Sequence, residues 1–247
     1  VKKTAGTSNF AAGVNAGDAI ESGGNYNVVI GDEAGTAITT GDNNTFVGYA
    51  AGDANTTAQG NTAVGYDAGG AITTGNHNTI FGYIAGQAIT TGTYNVIMGV
   101  DAGKAITTSS YNVIMGFQAG DAITTGANNV VVGYQALGSN TTGAGNAAFG
   151  DSALHSCTEG GDNTAIGNNA LDALTTVGQL VAVGKNALGA NTSGTANNAL
   201  GYNAGGSTTT GSNNTFIGHN SGSAHTTASN NTAVGAVAAT TLTTGAS

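Results

Sequence analysis

Four histidines, His77, His155, His219 and His225, are the side chains best suited to acid–base or metal chemistry, and they are scattered along the chain. Only the last two are near neighbours in sequence, and no serine, histidine and carboxylate recur together at a catalytic spacing. The carboxylates are more orderly. Asp18, Asp53, Asp121 and Asp172 share one phase of the sequence, and Glu33, Asp67 and Asp101 share another. Acids on successive loops suggest calcium held between turns, but the dense GGxGxD pattern of calcium-binding solenoids is missing. The expectation is a chain that is not an enzyme, with no metal site and no cofactor. Tyr49, Tyr66, Tyr83, Phe117, Tyr134 and Tyr202 form a broken aromatic column, read either as rings stacked on one another or as a sugar-binding ladder. Cys157 stands alone, so no intrachain disulfide forms, and a buried inert thiol is expected. Asn55-Thr56-Thr57 and Asn140-Thr141-Thr142 match glycosylation acceptors, which a chain rich in Asn and Thr also produces by chance.

These residues are positioned by a repeat of seventeen residues that runs without insertion from Gly24 to Thr244. A further turn, Gly6 to Ser22, is offset by the extra Gly23, which makes fourteen turns in all. The reading is therefore a short N-terminal extension, residues 1–5, followed by a single solenoid domain over residues 6–247. Numbering each turn from one to seventeen, position 8 is always glycine, as at Gly48, Gly65, Gly82, Gly99, Gly116 and Gly133. That invariance marks a corner where φ is positive or where two backbones meet. Position 4 is asparagine, as at Asn44, Asn61, Asn78, Asn95, Asn112 and Asn129, with Leu180 the one exception among the thirteen phased turns. Stacked at about 4.8 Å, such amides form a hydrogen-bonded ladder.

Gly, Asn, Thr and β-branched residues dominate and no helical period appears, so the fold class is all-β. Short strands are expected at positions 4–8 and 14–17, stacking into a β-solenoid of about 65 Å. The Thr-Thr pairs at positions 16 and 17 suit extended backbone. Position 7, always large and apolar in the phased turns, reads as the core stripe. Positions 12 and 15 trade volume: Gly86 accompanies Ile89, whereas Leu137, Leu154 and Leu188 accompany Asn140, Cys157 and Asn191. Leu171 with Leu174 breaks that rule. By strand alternation position 6 lies opposite position 7. Its residues, including Val29, Phe46, Ile80, Ile97, Ile114 and Val131, are read as an outward stripe that contacts another copy of the chain.

Composition narrows the functional classes. Only 7% of residues are charged, and 13 acids against 4 lysines give a net charge of −9. No basic stripe exists to neutralise phosphates, so a nucleic-acid partner is not expected. Apolar runs are about one strand long, too short for a membrane span. The opening VKKTAG has neither an initiator Met nor the apolar core of a signal peptide, which reads as a processed or excised segment. The last turn keeps its phase without a visible cap, so end-to-end stacking into filaments is a further expectation.

The units NTFVGYAAG (Asn44 to Gly52), NTAVGYDAG (Asn61 to Gly69) and NNTFIGHNSG (Asn213 to Gly222) resemble the repeats of bacteriophage tail-fibre and bacterial surface-fibre proteins. More distantly they are similar to the head repeats of trimeric autotransporter adhesins. The resemblance implies a homotrimeric, extracellular, cell-surface or virion-surface fibre that binds a host or another surface, for instance a cell-surface glycan. Adhesin heads have a shorter repeat, and the chaperone domain common at the C-terminus of tail-fibre proteins has no counterpart here. The expected function is a structural or adhesive fibre segment. The alternative is an ice-binding solenoid that uses its Thr columns.

Overall fold

The computed structural model describes residues 4–241 and 243. Residues 1–3 of the N-terminal extension, and Leu242 and Thr244 of the last turn, lie outside them. The chain is all-β, and two compact units, Val1–Thr125 and Gly126–Ser247, each wind as a β-solenoid. Among the described residues there is no helix, and each turn contributes one three-residue strand.

The first unit carries β1 (Phe10–Ala12), β2 (Val28–Ile30), β3 (Thr45–Val47), β4 (Thr62–Val64), β5 (Thr79–Phe81), β6 (Val96–Met98) and β7 (Val113–Met115). The second carries β8 (Val130–Val132), β9 (Ala147–Phe149), β10 (Thr164–Ile166), β11 (Val181–Val183), β12 (Asn198–Leu200), β13 (Thr215–Ile217) and β14 (Thr232–Val234). Within each unit successive strands pair in parallel and in register, so Thr45 faces Val28 on one side and Thr62 on the other. β1 pairs with β2 at a spacing of eighteen, Phe10 against Val28, which absorbs the extra Gly23.

Strand covers positions 5–7 only, narrower than the expected 4–8. The Thr-Thr pairs at 16 and 17 are bends, not a second strand. Closing a turn in seventeen residues requires repeated reversals, and four positions supply them with positive φ. Positions 3, 10 and 12 are left-handed, as at Asn43 (φ 59), Asp67 (φ 52) and Gly52 (φ 57). Asn, Asp and Gly tolerate that region, which is a backbone reason for Asp67 and Asp101 to occupy position 10, though not for Glu33. Position 8 differs in kind: its φ runs from 122° to 145°, a region open essentially to glycine alone. A Cβ built on Gly48 would also lie 2.3 Å from the carbonyl oxygen of Gly65 in the next turn. Both reasons given for the corner glycine, positive φ and backbone approach, apply at once.

The core stripe is at position 6, which corrects the expectation for positions 6 and 7. Val29, Phe46, Ile80, Ile97, Ile114 and Val131 are fully buried within their own chain and are not an outward inter-chain stripe. Position 7 faces solvent, with Phe81, Met98 and Met115 each exposed by more than a third. The inner residues are joined by alanine at position 11, as at Ala51 and Ala68, and by positions 12 and 15.

The volume exchange between 12 and 15 is physical contact: a Cβ on Gly86 would meet the Cδ1 atoms of Ile89, Ile97 and Ile80 at 3.0, 3.1 and 3.3 Å. Position 6 is a third partner in it. Leu154, Leu171 and Leu188 at position 12 accompany Ala148, Ala165 and Ala182 at position 6, which is how one turn admits both Leu171 and Leu174. Phe46 fills the space over Gly52, and Phe216 lies between the strand partners Ala199 and Ala233.

Candidate functional site

Position 4 shows how the sequence spends its polar groups. Asn44 donates its backbone N–H and its side-chain amide to the Asn27 Oδ1, at 2.9 and 3.1 Å, and gives its second amide hydrogen to the Ala58 carbonyl at 2.8 Å. Asn61, Asn78, Asn95 and Asn112 continue the pattern upward from Asn44, and Asn129 begins it in the second unit, where its Oδ1 accepts the backbone N–H of Asn146 at 2.9 Å. Each amide is wholly buried, so these bonds keep the ladder from being a burial penalty. At Leu180 the ladder lapses: its N–H still reaches the Asn163 Oδ1, but it offers no oxygen to Asn197.

The Thr columns are also committed. At position 16 the hydroxyls donate to the carbonyl of the same position one turn on, as from Thr39 to Thr56 at 3.1 Å and from Thr73 to Thr90 at 3.1 Å. Position 17, as at Thr57, Thr74 and Thr91, presents an exposed Thr column, whereas most position 16 threonines are half-buried.

Within each unit the outward surface of the strands is also left free by these ladders. Positions 5 and 7 point away from the core, and neither carries a charge in any turn. Val28, Thr45, Thr62, Thr79, Val96 and Val113 lie beside Ile30, Val47, Val64, Phe81, Met98 and Met115 across the first unit. In the second unit Val181, Val183, Leu200 and Ile217 line a shallow apolar depression.

Aromatic columns flank this face. At position 9 the rings of Tyr49 and Tyr66 stack at 5.3 Å and those of Tyr66 and Tyr83 at 5.1 Å. In the second unit Tyr202 stacks on His219 at 5.1 Å. A second column, not anticipated from sequence, occupies position 3, with His77 on Tyr94 at 5.2 Å and Tyr94 on Tyr111 at 5.3 Å. Stacked rings cover one another's faces and leave edges and hydroxyls to solvent, whereas sugar stacking needs an open ring face. The geometry accords with mutual stacking. Nearby Glu33 is the main influence raising the Tyr49 phenol above its usual range.

Among the described residues no three His, Cys, Asp or Glu side chains are grouped so as to hold a metal ion. Asp53 and Asp172 are raised from the ordinary carboxylate range, first by burial, with Asp67 adding to the effect at Asp53. Asp67 itself accepts a hydrogen bond from the Gln87 amide. Cys157 is buried at position 15, and burial pushes its thiol up, as expected of an inert group. Asn55 and Asn140 share that position and are fully buried, so the folded chain offers neither amide to a glycan.

Position 15 also holds what sequence reading missed. Asn55, Asn140, Asn191, Thr208 and His225 each bury at least one polar side-chain atom that has no partner. His225 lies edge-on to Phe216 at 4.9 Å, and burial lowers its imidazole below the ordinary range. The usable signal was their shared phase with the isoleucines Ile72, Ile89, Ile106 and Ile123. Among the described residues no helix is long and apolar enough to cross a membrane. No known protein family, curated protein or solved structure matches this chain.

Proposed function

We propose that the chain is a structural or adhesive segment of an extracellular, cell-surface or virion-surface fibre, and that copies of it associate through the outward face of their strands. The observation that carries this reading is the uncharged face at positions 5 and 7, where Ile30, Phe81, Met98 and Met115 in one unit and Phe149, Ile166, Leu200 and Ile217 in the other stand exposed. A row of large apolar groups on successive turns exceeds the patches that soluble monomers ordinarily leave in water. Association with identical copies, a trimer in the fibres that the repeat resembles, buries it most economically. The hydrogen-bonding groups of each turn match those of the next, so the same design also suits end-to-end growth.

The test is light scattering on the chain and on a variant bearing Met98→Lys and Ile166→Lys, one charge on each unit's outward face. The reading expects an oligomer for the parent and a marked loss of association for the variant. A parent that stays monomeric at high concentration overturns self-association through this face. Thermal hysteresis from such a monomer would instead support ice binding by the position 17 Thr column.

A further inference from the structure

We propose that the tyrosine columns of the first unit are sites of oxidative cross-linking, where a peroxide-driven one-electron oxidant joins tyrosines of successive turns as dityrosine. The proposal rests on three pairs. Tyr49 and Tyr66 stack at 5.3 Å with planes 16° apart, Tyr66 and Tyr83 at 5.1 Å and 19°, and Tyr94 and Tyr111 at 5.3 Å and 7°. All five rings are about half exposed, from 46% at Tyr66 to 58% at Tyr111, so an oxidant acting from solvent reaches them. The inference stands whether or not the chain is part of a fibre.

The chemistry needs two things that the stack supplies. A phenol that loses one electron and one proton becomes a phenoxyl radical whose unpaired spin is shared with the ring carbons ortho to oxygen. Coupling then requires a second such carbon presented face to face, because the half-filled orbitals stand perpendicular to the ring planes. Near-parallel rings on adjacent turns present those faces, and the parallel register of β3 with β4, β4 with β5 and β6 with β7 holds them there.

In the full step two tyrosines lose two electrons and two protons, and one carbon–carbon bond forms. The two ortho hydrogens leave as protons while both phenols regain theirs. The electrons and protons reduce one hydrogen peroxide to two waters. Each bond closes a loop of one repeat, a covalent tie between turns in a chain whose only cysteine is buried.

The repeat contains its own controls. Tyr26 has Ser8 and Asn43 at the same position of the flanking turns, and Tyr202 has Lys185 and His219, so neither has a tyrosine to couple with along its column. Asp53, Asp67 and Asp101 each fall between the members of one pair, so a protease that cuts at aspartate separates every pair unless it is cross-linked.

The experiment is oxidation of the dilute full chain by peroxidase with hydrogen peroxide, followed by dityrosine fluorescence and peptide mapping after aspartate-specific cleavage. Intrachain cross-links confined to 49–66, 66–83 and 94–111, each lighter by two hydrogens, are expected. Tyr66→Phe together with Tyr94→Phe keeps the stacked rings but removes all three pairs, and at least a tenfold loss of the fluorescence is expected. Equal yield from that variant overturns the proposal. So does equal yield from chain unfolded in denaturant, or cross-links that map to Tyr26, to Tyr202 or between chains.

Discussion

A residue's backbone, more than its chemistry, decides whether it is tolerated in these turns. Position 10 is left-handed in every turn and mostly holds Asp, Asn, Gln, Glu, Ser or Ala, yet the β-branched Ile84 occupies it at φ 58 and Val237 at φ 60. A β-branched side chain there is strained by about 1–2 kcal/mol. Ile84→Asn is therefore expected to raise the melting temperature, whereas Gly82→Val, at φ 144 with its Cβ 2.3 Å from the Gly99 carbonyl oxygen, should lower it severely. Thr91→Ala, at an exposed position 17, should leave it nearly unchanged. Thermal melts followed by circular dichroism compare all three; a Gly82→Val melt matching that of Thr91→Ala would refute the corner argument.

His225 makes the second residue-scale case. Burial depresses its folded pKa below the unfolded value of about 6.5, so under acid conditions the unfolded chain binds the extra proton. Its neutral form is compatible with full stability above about pH 6.5, and stability falls as the pH drops from there through the folded pKa. His225→Asn copies the Phe46 and Asn55 combination of another turn and removes the titration. Urea titrations across this pH range should show the parent losing stability toward acid and the variant losing less; parallel curves would exclude His225 as the source.

At the scale of elements, the three-residue strands are too short to account for the stack, and the asparagine ladder shares the task. Asn95 makes three hydrogen bonds as donor, two to Asn78 and one to the Ser109 carbonyl, and its oxygen accepts two more from Asn112. Asn95→Leu would leave several of those buried groups unpaired at about 1–3 kcal/mol each, a loss of about 3 kcal/mol or more. The reverse change, Leu180→Asn, gives up about 1.5–3 kcal/mol of apolar burial but can restore about three hydrogen bonds of comparable total worth. Asn95→Leu is accordingly expected to melt well below the parent and Leu180→Asn close to it, which denaturant titration of both variants checks. Equal losses would mean that the amides act only as space-fillers.

For the whole molecule, charge and apolar surface act in opposite directions. A net charge of −9 repels copies of the chain, while the outward face, in the proposed function, draws them together. Salt screens the first over about 8–10 Å at physiological ionic strength and leaves the second intact. Self-association is thus expected to strengthen as salt rises from low to moderate concentration, which sedimentation velocity at several ionic strengths would reveal. Weakening with salt would point to charge-paired contacts instead.

Much of this was legible from the chain alone because a seventeen-residue phase leaves few ways to fold. Invariant glycine at position 8 signalled a backbone that excludes a Cβ, and recurrent asparagine at position 4 signalled a ladder, since both are requirements of a single position in a single turn. The direction of the strand was a different matter. Positions 6 and 7 are both apolar, and alternation establishes only that they face opposite sides. Only the tertiary structure decided that position 6 is inside, for two physical reasons. Asn44 and its equivalents must turn inward to reach one another, and residues two apart on a strand share a face, so Phe46 follows Asn44 into the core. The closed cross-section also has one volume to fill, which is why position 6 shrinks to Ala148, Ala165 and Ala182 opposite Leu154, Leu171 and Leu188, while position 7, facing solvent, has no such limit on its size.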